Sequence, residues 1–241
     1  GTFLTIKTIK ALSKLSIFEI GKTLSEVNEG ILKEPHLVQF YNRYATYNGS
    51  SPYSTPGIMT VIQHLESHYG TYIPEGGMHS ITKSLYELAK RQGVIFNFNE
   101  CVSEIILKGS RAIGLVVDGK NLFFDTVISN MDIYPTYEKL LPKVKFPSKI
   151  KNQERSSSAV IFYWGVSKKF DNLDLHNVFF SKDYRKEFNS IFNQKNIHDD
   201  PTIYVNITSK EIPTDSPENC ENWYVMINTC GDNGQNWDLE V

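Results

Sequence analysis

Apolar positions recur at helical spacing through the first third of the chain. They fall at Ile6, Ile9, Leu12, Leu15 and Ile17, then at Ile20, Leu24, Val27 and Ile31, which predicts two amphipathic helices between residues 3 and 32. Glu34-Pro35 restarts a helix, because proline's fixed φ suits a first turn where its missing N–H is not needed. Leu37, Phe40, Tyr41 and Tyr44 share the apolar face of that helix. The run Asn48-Gly-Ser-Ser-Pro52 breaks the pattern. Thr55-Pro56 then opens another helix, with Thr55 as the expected cap and Pro56 at N1. Its buried stripe is expected to be Ile58, Val61, Ile62 and Leu65, ending at Gly70. A further helix follows Gly76-Gly77, with Ile81, Leu85, Leu88 and Ala89 inward and Gly93 as its stop. The two glycines read equally as a tight turn or as a place where backbone approaches a ligand.

After Gly93 the texture becomes that of strands. Residues 94–98, 102–107, 112–117 and 121–129 read as four strands, with Asp118-Gly119 as a two-residue hairpin turn. A short helix covers 131–141, and 143–151 is a basic connection containing proline. Residues 158–165, 202–209 and 223–230 are strands rich in β-branched and aromatic side chains, with a helical stretch at 183–192 among them. The expected class is therefore mixed α+β: helices, a small β-meander, then a second sheet, antiparallel or mixed. Two sheets separated by proline-containing connections imply two units, with the chain weaving between them.

The chain has 241 residues, 40% of them hydrophobic and 22% charged, with a net charge of −2. That is a globular composition, and it argues against non-specific nucleic-acid binding, which needs a basic surplus. No run approaches the roughly 18 apolar residues of a membrane span, and no secretory signal is visible. The chain starts at Gly1 without methionine and stops at Val241 without a helix stop, which reads as a fragment. Cys101, Cys220 and Cys230 are widely spaced and form no C-x-x-C pair, so neither a disulfide framework nor a zinc site is expected. His64 and His68 stand at ligand spacing on one helix, but no third ligand follows, and a solvated or packed pair is the better reading. There is no G-x-G-x-x-G, H-E-x-x-H or G-x-S-x-G. The glycines of 114–121 superficially suggest a phosphate loop, but they sit on a hairpin and end in Asn121. Against these absences stands an aromatic load of 13 Tyr, 14 Phe and 3 Trp, suited both to core and to an apolar ligand.

Several stretches in register resemble the bacterial carotenoid desaturases of the phytoene-desaturase type, relatives of the flavin amine oxidases, with the hydroxycarotenoid 3,4-desaturases as one branch. They are Arg43-Tyr-Ala-Thr-Tyr-Asn-Gly-Ser-Ser-Pro-Tyr53, Tyr72-Ile-Pro-Glu-Gly-Gly77, Asp125-Thr-Val-Ile-Ser-Asn130-Met-Asp132, Ser156-Ser-Ser-Ala-Val-Ile-Phe-Tyr-Trp-Gly165, His176-Asn-Val-Phe-Phe180 and Glu221-Asn-Trp-Tyr-Val-Met226. The resemblance implies an FAD-dependent oxidoreductase that removes hydrogens from a long polyene. A carotenoid cis-trans isomerase and a non-catalytic apolar-binding module are the alternatives. It implies a substrate domain built from residues 1–74 and 136–241, with 75–135 returning to a Rossmann-like flavin domain. The family's two glycine-rich flavin motifs are absent from these 241 residues.

The resemblance also implies sites. Val102 carries over as the strand residue whose backbone binds the adenine ring, and Ser129, Asn130 and Asp132 end a strand beside the flavin. Arg43 is expected to help at the reacting end or to pair with a carboxylate such as Glu66. A hydrocarbon substrate offers few hydrogen-bonding groups, so its tunnel is expected to be apolar and aromatic. Tyr44, Tyr47, Tyr53, Tyr72, Phe162, Tyr163 and Trp164 are the expected lining. No metal is expected. Because the substrate lives in a bilayer, the resemblance implies a cytoplasmic protein held peripherally at the inner membrane face, with the helices before Gly30 as its contact.

Overall fold

A computed structural model describes residues 19, 21–232 and 234–240. The first predicted helix lies outside these residues. The chain divides into two compact units. One ends at Ile73 and resumes at Arg155; the other is Pro74–Glu154.

In the first unit, helix α1 (Leu24–Ile31) begins at a reciprocal cap. Thr23 Oγ1 accepts from Glu26 N at 3.2 Å, and Glu26 Oε2 accepts from Thr23 N at 2.7 Å. Helix α2 (Pro35–Asn42) starts as proline dictates, with Glu34 accepting from Leu37 N at 2.8 Å. The two helices are locked by buried amides: Asn28 Nδ2 donates to Asn42 Oδ1 at 2.9 Å, and Asn42 Nδ2 to Ser25 Oγ at 3.1 Å. A 3-10 turn, Arg43–Asn48, continues α2. Helix α3 (Thr60–Tyr69) follows a 3-10 turn, Gly57–Met59. Thr55 does not cap it; its hydroxyl is buried without a partner among the described residues. Ile58, Val61 and Leu65, expected to be buried, are exposed.

The sheet of this unit is formed by β4 (Ser158–Val166), β5 (His176–Phe179), β6 (Ile203–Asn206) and β7 (Glu221–Thr229), in the order β4-β7-β6-β5 and antiparallel throughout. β5 is a four-residue strand that periodicity did not single out. A short helix, Tyr184–Asn189, with a π turn, Ser190–Gln194, buries Tyr184, Phe188 and Ile191. The sheet's own core is Val205, Ile207 and Val225, with Phe162, Ile203 and Trp223 packed against it.

The second unit opens at a turn closed by Gly77 N donating to Pro74 O at 2.9 Å. Gly76 and Gly77 have φ of 79° and 77°, a pair of left-handed residues that side chains would strain. Helix α4 (His79–Arg91) follows and stops at Gly93, as expected. Its apolar stripe is not inward: Ile81, Leu85 and Leu88 are exposed, Leu85 by 61%. Three strands form the meander: β1 (Val102–Lys108), β2 (Arg111–Val117) and β3 (Lys120–Phe123), all antiparallel. Asp118 and Gly119 both have positive φ, as the two-residue turn requires. Gly114 is required by proximity, since a Cβ there would collide with the Leu122 carbonyl of β3. Residues 94–98 are not a strand, and β3 ends at Phe123 with a last bond from Phe124 N to Ile113 O at 3.0 Å; 94–98 and 125–129 find no ladder partner among the described residues. The helical turns at 133–140 pack on β1, and Lys143 reaches Glu104 of β1 at 2.7 Å. Tyr134 and Tyr137 close on Phe146 at 4.8 and 5.5 Å. These contacts keep the turns after residue 132 with the meander, within the compact unit Pro74–Glu154.

Candidate functional site

Side chains alternate across a strand, so the first unit's sheet has two faces of different character. Phe162, Trp223, Val205 and Val225 face the core. Tyr163, Tyr224, Met226, Tyr204 and His176 stand on the other face. Tyr163 pairs with Tyr224 across β4 and β7, with ring centroids 5.6 Å apart and edge to face; Tyr224 and Tyr204 are 6.4 Å apart. Tyr163 is 79% exposed. This face is a broad aromatic platform with polar groups at one margin. There His176 Nδ1 lies 2.7 Å from Tyr204 Oη, and the Arg43 guanidinium stacks 5.1 Å over the Tyr204 ring.

Arg43 also donates to Thr46 Oγ1 at 3.1 Å. It does not pair with Glu66. That carboxylate is gripped by two phenols: Tyr44 Oη donates to Oε2 at 2.6 Å, and Tyr47 Oη donates to Oε1. Partial burial, then the hydrogen bond to Glu66, raise both phenol pKa values, Tyr47 to about 12. Both tyrosines therefore remain protonated donors at neutral pH. Tyr44 and Tyr47 lie on the turn that starts at Arg43, whose guanidinium covers the Tyr204 ring, so the phenol pair stands beside the platform.

Of the expected tunnel residues, Tyr44, Tyr47 and Tyr163 gather with Arg43 in this neighbourhood. Tyr53 packs edge-on to Phe188 with Arg185 4.0 Å over its other face. Tyr72 stands apart and is 84% exposed. Phe162 and Trp164, 5.8 Å apart, point to the face of β4 opposite Tyr163; Phe162 packs on the core, whereas Trp164 is half-exposed and meets Tyr163 at the rim of a pocket at the end of the sheet. Tyr204, Tyr224 and His176 were not singled out from the sequence, although alternation along their strands carried the signal for the first two.

A pocket of about 490 Å³ opens at one end of the platform. Tyr163, Gly165, Asn206, Asn222 and Tyr224 form its floor, and the turn carrying Asp215 walls it. Asn222 Nδ2 donates to Thr208 Oγ1 at 2.6 Å, and Thr208 donates on to Asp215 Oδ2 at 2.5 Å.

In the second unit, Val102 begins β1, one of the two edge strands of the meander. Its outer backbone edge carries no ladder partner among the described residues, which fits a ring bound by backbone groups. Ser129 Oγ and Thr136 Oγ1 are 3.1 Å apart, and Asp132 accepts from Tyr134 N at 2.8 Å to cap the following helical turn. Asn130 is exposed between them. An open apolar pocket of about 720 Å³ lies along α4, walled by Tyr86, Phe96 and Phe98. His64 and His68 stack at 5.4 Å, and no group of three metal-ligating side chains gathers among the described residues.

Residues 9–210 match the family model described as flavin containing amine oxidoreductase. The chain belongs to that family. It is 51% identical over 238 residues to a 1-hydroxycarotenoid 3,4-desaturase of Flavobacterium sp. (strain P99-3), covering 99% of this chain and 49% of that protein. A phytoene desaturase of Cercospora nicotianae is 35% identical over 75% of this chain and 30% of its own length. A 4,4'-diapolycopene oxygenase of Methylomonas sp is 32% identical over 90% of this chain and 44% of its own. The chain thus spans about half the length, or less, of these family members. In fold it is similar to a crystal structure of an oxidoreductase from Methanosarcina mazei, with TM-score 0.63, 16% identity, and coverage of 98% of this chain and 55% of that one.

Proposed function

We propose that this chain is the substrate-binding part, and a portion of the flavin-binding part, of a carotenoid desaturase. The observation that carries the reading is the 51% identity, over 99% of this chain and 49% of the relative, with a protein named for desaturating a hydroxycarotenoid. The aromatic platform supports it. A polyene is held by area and shape, at about 25 cal/mol per Å² of apolar surface removed from water, and Tyr163, Tyr224 and Tyr204 offer such area. FAD, when bound, supplies the acceptor for the hydrogen removed. The chain's own residues bind and orient: the tyrosines hold the polyene, Arg43 sits at the polar margin of the platform, and the free edge of β1 at Val102 receives the adenine.

No helix among the described residues is long and apolar enough to cross a membrane. We infer peripheral contact at the cytoplasmic membrane face through exposed apolar side chains of the first unit. The inward face of α1, Leu24 and Val27, is buried, so the contact falls on Ile31, Leu37 and Phe40 instead. Flotation with phospholipid vesicles tests this: Leu37→Ser with Phe40→Ser should reduce the bound fraction, and unchanged binding contradicts it.

The activity is tested by expressing the full-length protein in a carotenoid-accumulating bacterium and weighing its pigments. A product lighter by two hydrogens supports desaturation. A product of unchanged mass favours the isomerase alternative. An oxygen-containing product favours the oxygenase chemistry named for the Methylomonas relative.

A further inference from the structure

Removing two hydrogens from a polyene sends one to the flavin as hydride and leaves one proton to be taken up. The groups around the aromatic face differ in their capacity to take it. Arg43 is a cation, and both oxygens of Glu66 already accept from Tyr44 and Tyr47. Tyr204 is different. It stands on the platform, directly across the ladder from Met226, and its hydroxyl lies 2.7 Å from His176 Nδ1. The direction of that bond follows from Asn206. Asn206 Nδ2 donates to the Leu175 carbonyl at 3.0 Å, which fixes it as the amide nitrogen, and it lies 3.3 Å from the same His176 Nδ1. An amide nitrogen only donates. The network therefore assigns Nδ1 as the acceptor, puts the ring's proton on Nε2, and makes Tyr204 Oη a donor to Nδ1. Burial raises the Tyr204 pKa, so the phenol is neutral at rest. The Arg43 guanidinium, 5.1 Å from the ring centroid, works against burial and favours negative charge on the phenol oxygen as its proton leaves.

We propose that Tyr204 and His176 form the proton acceptor of the desaturation. The inference rests on the desaturase reading and deepens it by assigning residues to the second half of the step. One C–H bond of the polyene gives up its electron pair with its hydrogen, as hydride, to the oxidised flavin. The neighbouring C–H bond then breaks toward Tyr204 Oη, its electrons become the new C=C bond, and the phenol's own proton passes to His176 Nδ1 in the same movement. The result is one double bond, a reduced flavin, a neutral tyrosine and an imidazolium. His176 is exposed, so the imidazolium loses a proton to solvent.

Two measurements on the full-length, FAD-loaded enzyme test this. The first needs no turnover: nitrogen NMR of protein labelled at histidine should show His176 as the Nε2–H tautomer, and an Nδ1–H tautomer overturns the relay. The second follows conversion of a 1-hydroxycarotenoid in phospholipid vesicles. Tyr204→Phe and His176→Ala should each lower kcat by about 100-fold or more with KM little changed. The double variant should be no slower than Tyr204→Phe alone, because the two residues act as a unit. Added imidazole should restore part of the His176→Ala rate and none of the Tyr204→Phe rate. Flavin content verifies folding in each variant. If both single variants keep the wild-type kcat, or if their losses add without imidazole rescue, the dyad is overturned while the desaturase reading stands. If the wild type makes no product two hydrogens lighter, the desaturase reading falls and the dyad falls with it.

Discussion

Two buried carboxylates of the first unit are stabilised in opposite ways. Glu221, at the start of β7, accepts from Lys210 Nζ at 2.8 Å, Phe170 N at 2.9 Å and Trp223 Nε1 at 2.8 Å. Burial pushes its pKa up, but these three donors outweigh burial and leave it lowered. A lowered folded pKa gives stability that is complete above the unfolded value and lost as pH falls through the folded one. Lys210→Met removes the cation and leaves the carboxylate buried. It should cost about 3–5 kcal/mol in urea unfolding at neutral pH, and adding Glu221→Leu should recover much of it. Glu187 is buried against Thr202, accepting from its N at 2.9 Å and its Oγ1 at 2.6 Å, with no ion pair among the described residues. Burial raises its pKa. The sign is then reversed: its contribution is present below the unfolded carboxylate value and lost as pH rises through the raised one. Glu187→Gln removes that titration, so the variant's stability relative to wild type should climb from the ordinary carboxylate range upward. A difference independent of pH would contradict this.

Neighbouring residues of one strand carry different burdens. Phe162 packs against the Val205–Val225 core, whereas Tyr163 stands exposed on the aromatic face. Phe162→Ala should destabilise the first unit by about 2 kcal/mol or more. Tyr163→Ala should leave the unfolding midpoint nearly unchanged and weaken carotenoid binding in the full-length enzyme. Equal effects of both on stability would deny the two-faced sheet. This distinction was latent in the sequence, because a period of two fixes which residues share a face, but a run such as Phe162-Tyr163-Trp164 does not say which face is buried. Element types were legible where a local rule sufficed: Pro35 at a helix start, Asp118-Gly119 in a hairpin, Gly93 at a helix stop. What was not legible depends on distant partners. Residues 94–98 have strand composition but no ladder partner among the described residues, and α3 and α4 carry apolar stripes that the described residues do not bury. The same limit hid the Tyr44–Glu66–Tyr47 cluster, whose members are brought together only when α3 lies across the 3-10 turn after α2.

At the scale of the molecule, the two interleaved units divide the proposed work. One carries the aromatic platform and its end pocket; the other carries the meander whose free edge suits a flavin's adenine. The 241 residues contain no G-x-G-x-x-G, the glycine-rich turn into a helix N-terminus that stabilises a dinucleotide pyrophosphate. The 241-residue chain by itself should therefore not retain FAD through purification, and a stoichiometric yellow protein from these residues alone would contradict the division. The central claim, flavin-dependent desaturation, is tested most directly by an anaerobic single turnover of the full-length, FAD-loaded enzyme with a carotenoid in vesicles. The account predicts that oxidised-flavin absorbance bleaches in step with the appearance of a polyene longer by one double bond, one product per flavin. Conversion of the carotenoid without bleaching of the flavin, or bleaching without a product two hydrogens lighter, would contradict it.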